Sequence, residues 1–210
     1  MKKIISMLLA VVMVALMAMS MTACGDDGKY TIGICQLVTH DALDAATNGF
    51  MQALKDKLGE DKVTFDLQNA AGDSNTCSSI VNAFVASEVD LIMANATPAL
   101  QAAAAATADI PILGTSVTEY GVAMGIENFS GVVGGNVSGT SDLAPLDKQA
   151  AMVKEWFPDA KKVGLLYCSA EANSQYQVDV VKAELEALGY TCTLYSFADT
   201  NDMAAVTEEC

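Results

Sequence analysis

From Thr31 onward the chain switches repeatedly between two apolar periods, and this switching restricts its fold more than any other property. Thr31 to Val38 (TIGICQLV) is an apolar run of strand length; from Asp41 the period lengthens, with Leu43, Ala46, Phe50, Leu54 and Leu58 on one helical face. Asp41 is placed to cap that helix, and Asp44 falls in its first turn. Val63 to Leu67 alternates as a strand, and Cys77, Ile80, Val81, Phe84 and Val85 then repeat at helical spacing behind Asp73 or Ser74. Leu91 to Ala94 reads as a buried strand. Thr97 and Pro98 read as N-cap and first residue of a helix carried by the alanine-rich stretch to Ala108, and Ile112 to Gly114 as a fourth strand. Three consecutive β-α-β crossovers predict an α/β fold with a doubly wound parallel sheet and helices on both faces.

A glycine-rich passage from Gly121 to Gly139 interrupts the pattern, which restarts after Ser141 and Asp142. Leu146 to Phe157 reads as a helix, Val163 to Cys168 as a strand, Ala172 to Leu188 as a helix closed by Gly189, and Thr191 to Ser196 as a strand. A further helix starts near Asn201. The expected organisation is therefore an N-terminal α/β lobe over 30–142 and a partial second α/β lobe over 143–210. Two strands give too little parallel sheet to bury the helices of a separate lobe, so the second lobe is expected to be truncated.

Ahead of the first strand, Lys2 and Lys3 precede an apolar run from Ile4 to Met21 in which only Ser6 and Ser20 are polar. The run ends in Met21-Thr22-Ala23-Cys24, which reads as an export signal with a small-residue cleavage site rather than a retained membrane helix. The expectation is a lipoprotein signal peptide over 1–23, lipidation of Cys24, and a hydrophilic tether over 24–29.

Composition removes several classes of function. The chain has 26 acidic and 11 basic residues, every basic one a Lys, for a formal net charge of -15. Such a chain is repelled by phosphate backbones, so nucleic acid is not an expected partner. Without Arg there is no bidentate fork for a carboxylate or phosphate. His40 is the one His, which excludes His-rich metal sites; neither a metal nor a cofactor is expected. A P-loop, a dinucleotide-binding glycine motif and a nucleophile elbow are all absent. The cysteines after Cys24 are odd in number and lack C-x-x-C spacing, so Cys35, Cys168 and Cys192 read as buried thiols within strands; a disulfide among Cys35, Cys77, Cys168, Cys192 and Cys210 in an exported chain is the alternative.

In open parallel sheets ligands bind beyond the carboxyl ends of the strands, where helix N-termini also point. Here those ends carry hydroxyl and amide groups: Thr39 and His40, Asn95 to Thr97, Thr115, Ser116 and Thr118, and in the second half Ser169, Asn173 and Ser174. Together they describe a polar cleft that recognises a small solute by hydrogen bonds. Pro98 with Thr97 also reads as a helix start, His40 as a cap or rim residue, and Ser141-Asp142 as a turn or hinge at the junction.

The stretches IGICQLVTHDALDAATNGF (32–50), 67–118, GGNVSGTSDLAPLDKQ (134–149) and KKVGLLYCSAEANSQYQ (161–177), in this order, resemble the ABC-transporter substrate-binding lipoproteins of the tryptophan/tyrosine type. The resemblance implies a type I periplasmic-binding-protein fold, two lobes closing on a small solute, and delivery to an ABC permease and ATPase without chemistry. An amino acid, and an aromatic one among them, is the implied solute, with His40, Thr97, Pro98, Thr115, Ser116, Ser141, Asp142, Asn173 and Ser174 as ligand-lining positions. Asp142 is implied to meet an ammonium group. The protein would stand outside the cytoplasm, lipid-anchored to the bacterial cell membrane. An exported enzyme or a ligand sensor with the same cleft is the competing reading; the sensor would call for a helix-turn-helix that the sequence lacks.

Overall fold

The computed structural model describes residues 28–210. The expected signal peptide, and the tether from Cys24 through residue 27, lie outside the described residues. The first elements are β1 (Tyr30–Gln36), α1 (Asp41–Leu58), β2 (Val63–Asn69), α2 (Ser74–Ala86), β3 (Leu91–Asn95), α3 (Thr97–Ala106), β4 (Ile112–Val117), α4 (Tyr120–Met124) and β5 (Val137–Ser141). They are followed by α5 (Leu146–Trp156), β6 (Lys162–Cys168), α6 (Ala172–Ala187), β7 (Thr191–Phe197) and α7 (Thr200–Glu209). A short 3-10 turn, Glu60–Lys62, joins α1 to β2.

The strands form two parallel sheets, one in the order β2-β1-β3-β4-β5 and one pairing β6 with β7. β1 sits inside the larger sheet and is buried from Ile32 to Gln36, which explains a near-continuous apolar run where a one-sided strand would alternate. Its side chains divide the core between the two faces. Ile32 and Ile34 meet Phe50, Met51 and Leu54 of α1. Gly33 and Cys35 face α2; a Cβ on Gly33 would fall 2.6 Å from the Phe84 ring, so only glycine lets that helix sit so close. The α2 side holds the larger cluster, in which Cys77, Val81 and Phe84 pack with Ile92, Leu100, Ala103, Ile112 and Val117. The two-stranded sheet has a smaller core around Ala150, Leu185 and Tyr190.

Four local expectations need correction. His40, not Asp41, caps α1: its Nδ1 accepts the Ala42 N–H at 3.2 Å, and Asp41 is already helical. Thr97 is the first helical residue of α3 rather than its cap; Ala96 occupies the cap with φ 91 and ψ 161 and offers no side-chain acceptor, and Pro98 follows in the first turn. That helix ends at Ala106, where Thr107 takes the C-cap, short of Ala108. The glycine-rich passage is not all loop, since it contains α4 and the start of β5. β5 lacks an apolar run because only Val137 of its residues is buried; it is the outermost strand of the sheet and is held mainly by its ladder to β4.

Candidate functional site

At the carboxyl ends of β1 and β3 the apolar core gives way to a buried polar chain. The Thr47 hydroxyl donates to Gln36 Oε1 at 2.7 Å and accepts from Asn95 Nδ2 at 2.9 Å. Asn95 Nδ2 also donates to the Leu43 carbonyl, and Gln36 Nε2 donates to the Val38 carbonyl at 2.8 Å and to Asp44 Oδ1 at 2.6 Å. Gln36, Thr47 and Asn95 are all buried. The two carbonyl acceptors fix which end of each amide points inward. Asn95 Oδ1 is thereby left buried without a partner, as is the hydroxyl of Thr97 two residues on. In the second unit Asn173 Oδ1, in the first turn of α6, is in the same condition. Buried polar atoms are nearly always paired, so these three call for a partner outside the chain, a water or a bound polar group.

Backbone strain gathers at the same edge. Ala96 lies in a region populated essentially by glycine alone, and Ser116, at the register shift between β4 and β5, has φ 54. Such conformations cost about 1–3 kcal/mol each and persist where the surroundings impose them. The uncapped start of α3 also presents main-chain N–H groups and the positive end of a helix dipole.

The remaining expected positions are distributed around this edge. His40 is exposed and occupied as a cap. Thr97 and Pro98 are buried at the start of α3, while Thr115 and Ser116 are half-buried at the end of β4. Ser141 donates from its hydroxyl to the Thr118 carbonyl at 2.7 Å and accepts the Leu143 N–H at 3.2 Å, so it shapes the turn out of β5. Asp142 is exposed, anchored by its own N–H to the Val117 carbonyl. Its charge reaches Tyr120, whose buried phenol is pushed up to about 12, chiefly by loss of solvent and then by Asp142. Ser174 donates to Glu171 Oε2 at 3.1 Å.

A cavity of about 1140 Å³ opens between the two units. Its walls come from Leu37, Val38 and the 71–73 loop on one side, and from Tyr167, Cys168, Glu171, Ser174 and Phe197 on the other. It also runs along Gly164 to Cys168, consecutive residues of β6, and so follows the open edge of that strand. Of the expected ligand positions only Ser174 is on its wall; Thr115 lines a separate cavity of about 390 Å³ beside α1. The structure therefore does not bring the expected positions into one enclosed space. Sequence reasoning passed over Gln36 and Thr47. The available signal was a polar residue inside an apolar strand, and a Thr in helical phase with Leu43, Phe50 and Leu54 on a buried face.

Among the described residues no group of three His, Cys, Asp or Glu side chains is arranged to hold a metal, and no helix is long and apolar enough to cross a membrane.

A parallel α/β unit with polar groups at the carboxyl ends of its strands, linked to a second such unit across a cavity, has close counterparts among solved structures. An ABC domain in complex with L-Trp from Streptococcus pneumoniae is 34% identical, with a TM-score of 0.79 over 85% of this chain and 60% of that one. The ligand-free, open structure of a substrate binding protein with adhesive properties from Clostridium difficile is 38% identical over 86% of this chain and 61% of that one, with a TM-score of 0.60. A leucine binding protein from Thermotoga maritima, at 15% identity and a TM-score of 0.64, shares the fold alone. The class is thus the type I periplasmic-binding-protein fold. The family model for ABC transporter substrate binding protein matches residues 31–210, and the chain belongs to that family. A curated relative, a tyrosine-binding protein from Clostridioides difficile, is 48% identical over 150 residues, covering 70% of this chain and 43% of that protein. The chain spans less than half of that relative and about 60% of the solved relatives.

Proposed function

We propose that this chain acts as the extracytoplasmic, lipid-anchored solute-binding protein of an ABC importer. In this reading lobes 30–142 and 143–210 close on a free amino acid and hand it unaltered to the permease and ATPase. The observation that carries the reading is the pair of unpartnered buried oxygens, Asn95 Oδ1 and the Thr97 hydroxyl, at the start of α3. An amide oxygen accepts from an ammonium group; a hydroxyl and the free N–H groups of a helix start donate to a carboxylate. Together they match the two ends of an amino acid and replace the missing Arg. Asp142 supplies a second acceptor at the junction, and Asn173 the matching oxygen from the other lobe. Ser174 stands on the wall of the inter-unit cavity, while Pro98, Thr115, Ser116, Ser141 and His40 are ligand positions that the family resemblance implies. Leu37, Val38 and Phe197 offer an apolar wall for the solute's side chain.

Two comparisons favour this reading. One relative is a tyrosine-binding protein and another is a domain in complex with L-Trp. The chain also superposes better on the L-Trp complex, with a TM-score of 0.79, than on the ligand-free, open structure, at 0.60, although the latter is nearer in sequence. That order supports lobes set as in a bound arrangement.

The test is thermal denaturation and calorimetry of the purified protein against a panel of free amino acids. A true ligand at a hundred to a thousand times Kd stabilises by about 2.7 to 4.1 kcal/mol and is recovered chemically unchanged. Thr97→Val weakens its affinity about tenfold or more, equivalent to about 1.4 kcal/mol per decade. A panel in which no amino acid stabilises the protein rejects the proposal.

A further inference from the structure

We infer that Cys35 and Cys77 form a thiol pair that closes into a disulfide, a modification site joining β1 to α2. The placement follows from the packing of those two elements. Gly33 lies against Phe84 of α2, and Cys35, two residues further along β1, faces the same way. Cys77 precedes Phe84 by two helical turns and occupies the same helix face. A crossover helix runs opposite to its strands, so Gly33 against Phe84 sets Cys35 against Cys77. Both side chains are fully buried, in one cluster with Val81. Each thiol acts on the other's titration, Cys35 being pushed up and Cys77 drawn down. Cys77 sits in the first turn of α2, where a thiolate is also favoured by the helix dipole. The described cysteines are all free, and outside this pair they are half-buried Cys168 and Cys192 and exposed Cys210.

The oxidant is a small-molecule disulfide such as oxidised glutathione. The Cys77 thiolate attacks one of its sulfurs, forming a mixed disulfide and releasing one thiolate. Cys35, losing its proton, then attacks the Cys77 sulfur and releases the second. Two protein thiols are oxidised, one small disulfide is reduced to two thiols, and the two protons leave with them. Access comes from local opening of the first turn of α2, whose 73–76 segment is exposed next to a loop with Ala71 at φ 53. Leu37 and Asp73 flank the pair and line the inter-unit cavity, so the bond pins that wall to β1.

Trypsin places Cys35 in peptide 30–55, Cys77 in 63–148, Cys168 in 163–182, and Cys192 with Cys210 in 183–210. The chain is incubated with oxidised glutathione, denatured, alkylated and digested without reduction. The expected result is a joined 30–55/63–148 species that reductant splits, together with a Tm raised by about 5 °C or more and restored by reduction. In Cys77→Ala the joined species is lost and Cys35 is alkylated. Should that variant fail to fold, the wild-type map and the Tm decide. Recovery of both peptides separately alkylated while Cys210 carries glutathione overturns the inference. So does a link of either cysteine to another peptide, or a joined species with a lowered Tm.

Discussion

Thr47 and Thr97 are both buried threonines, and they should answer the same substitution in opposite ways. The Thr47 hydroxyl bridges Gln36 and Asn95, so Thr47→Val strands Gln36 Oε1, removes one of the two hydrogen bonds of Asn95 Nδ2, and costs about 1–3 kcal/mol in denaturant unfolding. The Thr97 hydroxyl has no partner in the chain, so Thr97→Val leaves unfolding stability within about 0.5 kcal/mol, or raises it, while weakening solute binding. Equal losses of stability at both positions would show that Thr97 is satisfied within the fold. Tyr120 gives a pH signature. Burial holds its proton in the folded chain up to about 12, whereas the unfolded value is 10.0. The unfolded chain therefore releases this proton first as pH rises, and the contribution, complete below pH 10, is lost progressively toward pH 12. Tyr120→Phe should flatten that part of the stability profile; an unchanged alkaline slope would contradict the assignment.

Among the helices, those that start near the candidate site differ in how their first N–H groups are satisfied. α2 has Asp73 as its cap, accepting the Thr76 N–H at 2.8 Å, and α4 has Glu119, accepting from Val122. α3 has no side-chain cap, and neither does α6. Asp73→Ala should cost about 0.5–2 kcal/mol, since it removes an acceptor that nothing else replaces. It should also increase hydrogen exchange at Thr76 and Cys77; unchanged exchange there would mean that solvent caps the helix equally well. The uncapped starts coincide with Thr97 and Asn173, two of the unpartnered buried oxygens. Under the proposed function, a helix start left open in this way keeps its donors for the solute, and the cost is borne by the rest of the fold.

Across the whole molecule the two units differ in how much core they own. The five-stranded sheet is packed by helices on both faces, while β6 and β7 form a two-stranded parallel sheet with a small cluster on α5 and α6. Two parallel strands are marginal alone. Amide hydrogen exchange should accordingly be slower in β1, β3 and β4 than in β6 and β7, with the second unit opening below the global unfolding free energy. Matched protection in both sheets would mean that the units unfold as one. Much of this architecture was legible in the chain, because periods of 2 and 3.6 residues, together with Pro and Gly, report local geometry directly. They located the strands up to β4, the helices that cross between them, and the run through β6 to β7. They did not locate β5, whose residues owe their strand conformation to the neighbouring β4 rather than to apolar alternation. Nor could they tell His40 from Asp41 as a cap, since both side chains carry an acceptor one residue apart. The sequence by itself determined an acidic, Arg-free α/β chain with polar residues at the strand ends. Only the tertiary structure decided which of those residues satisfy one another and which stay open, because hydrogen-bond partnership depends on distances between segments far apart along the chain, as between Thr47 and Asn95.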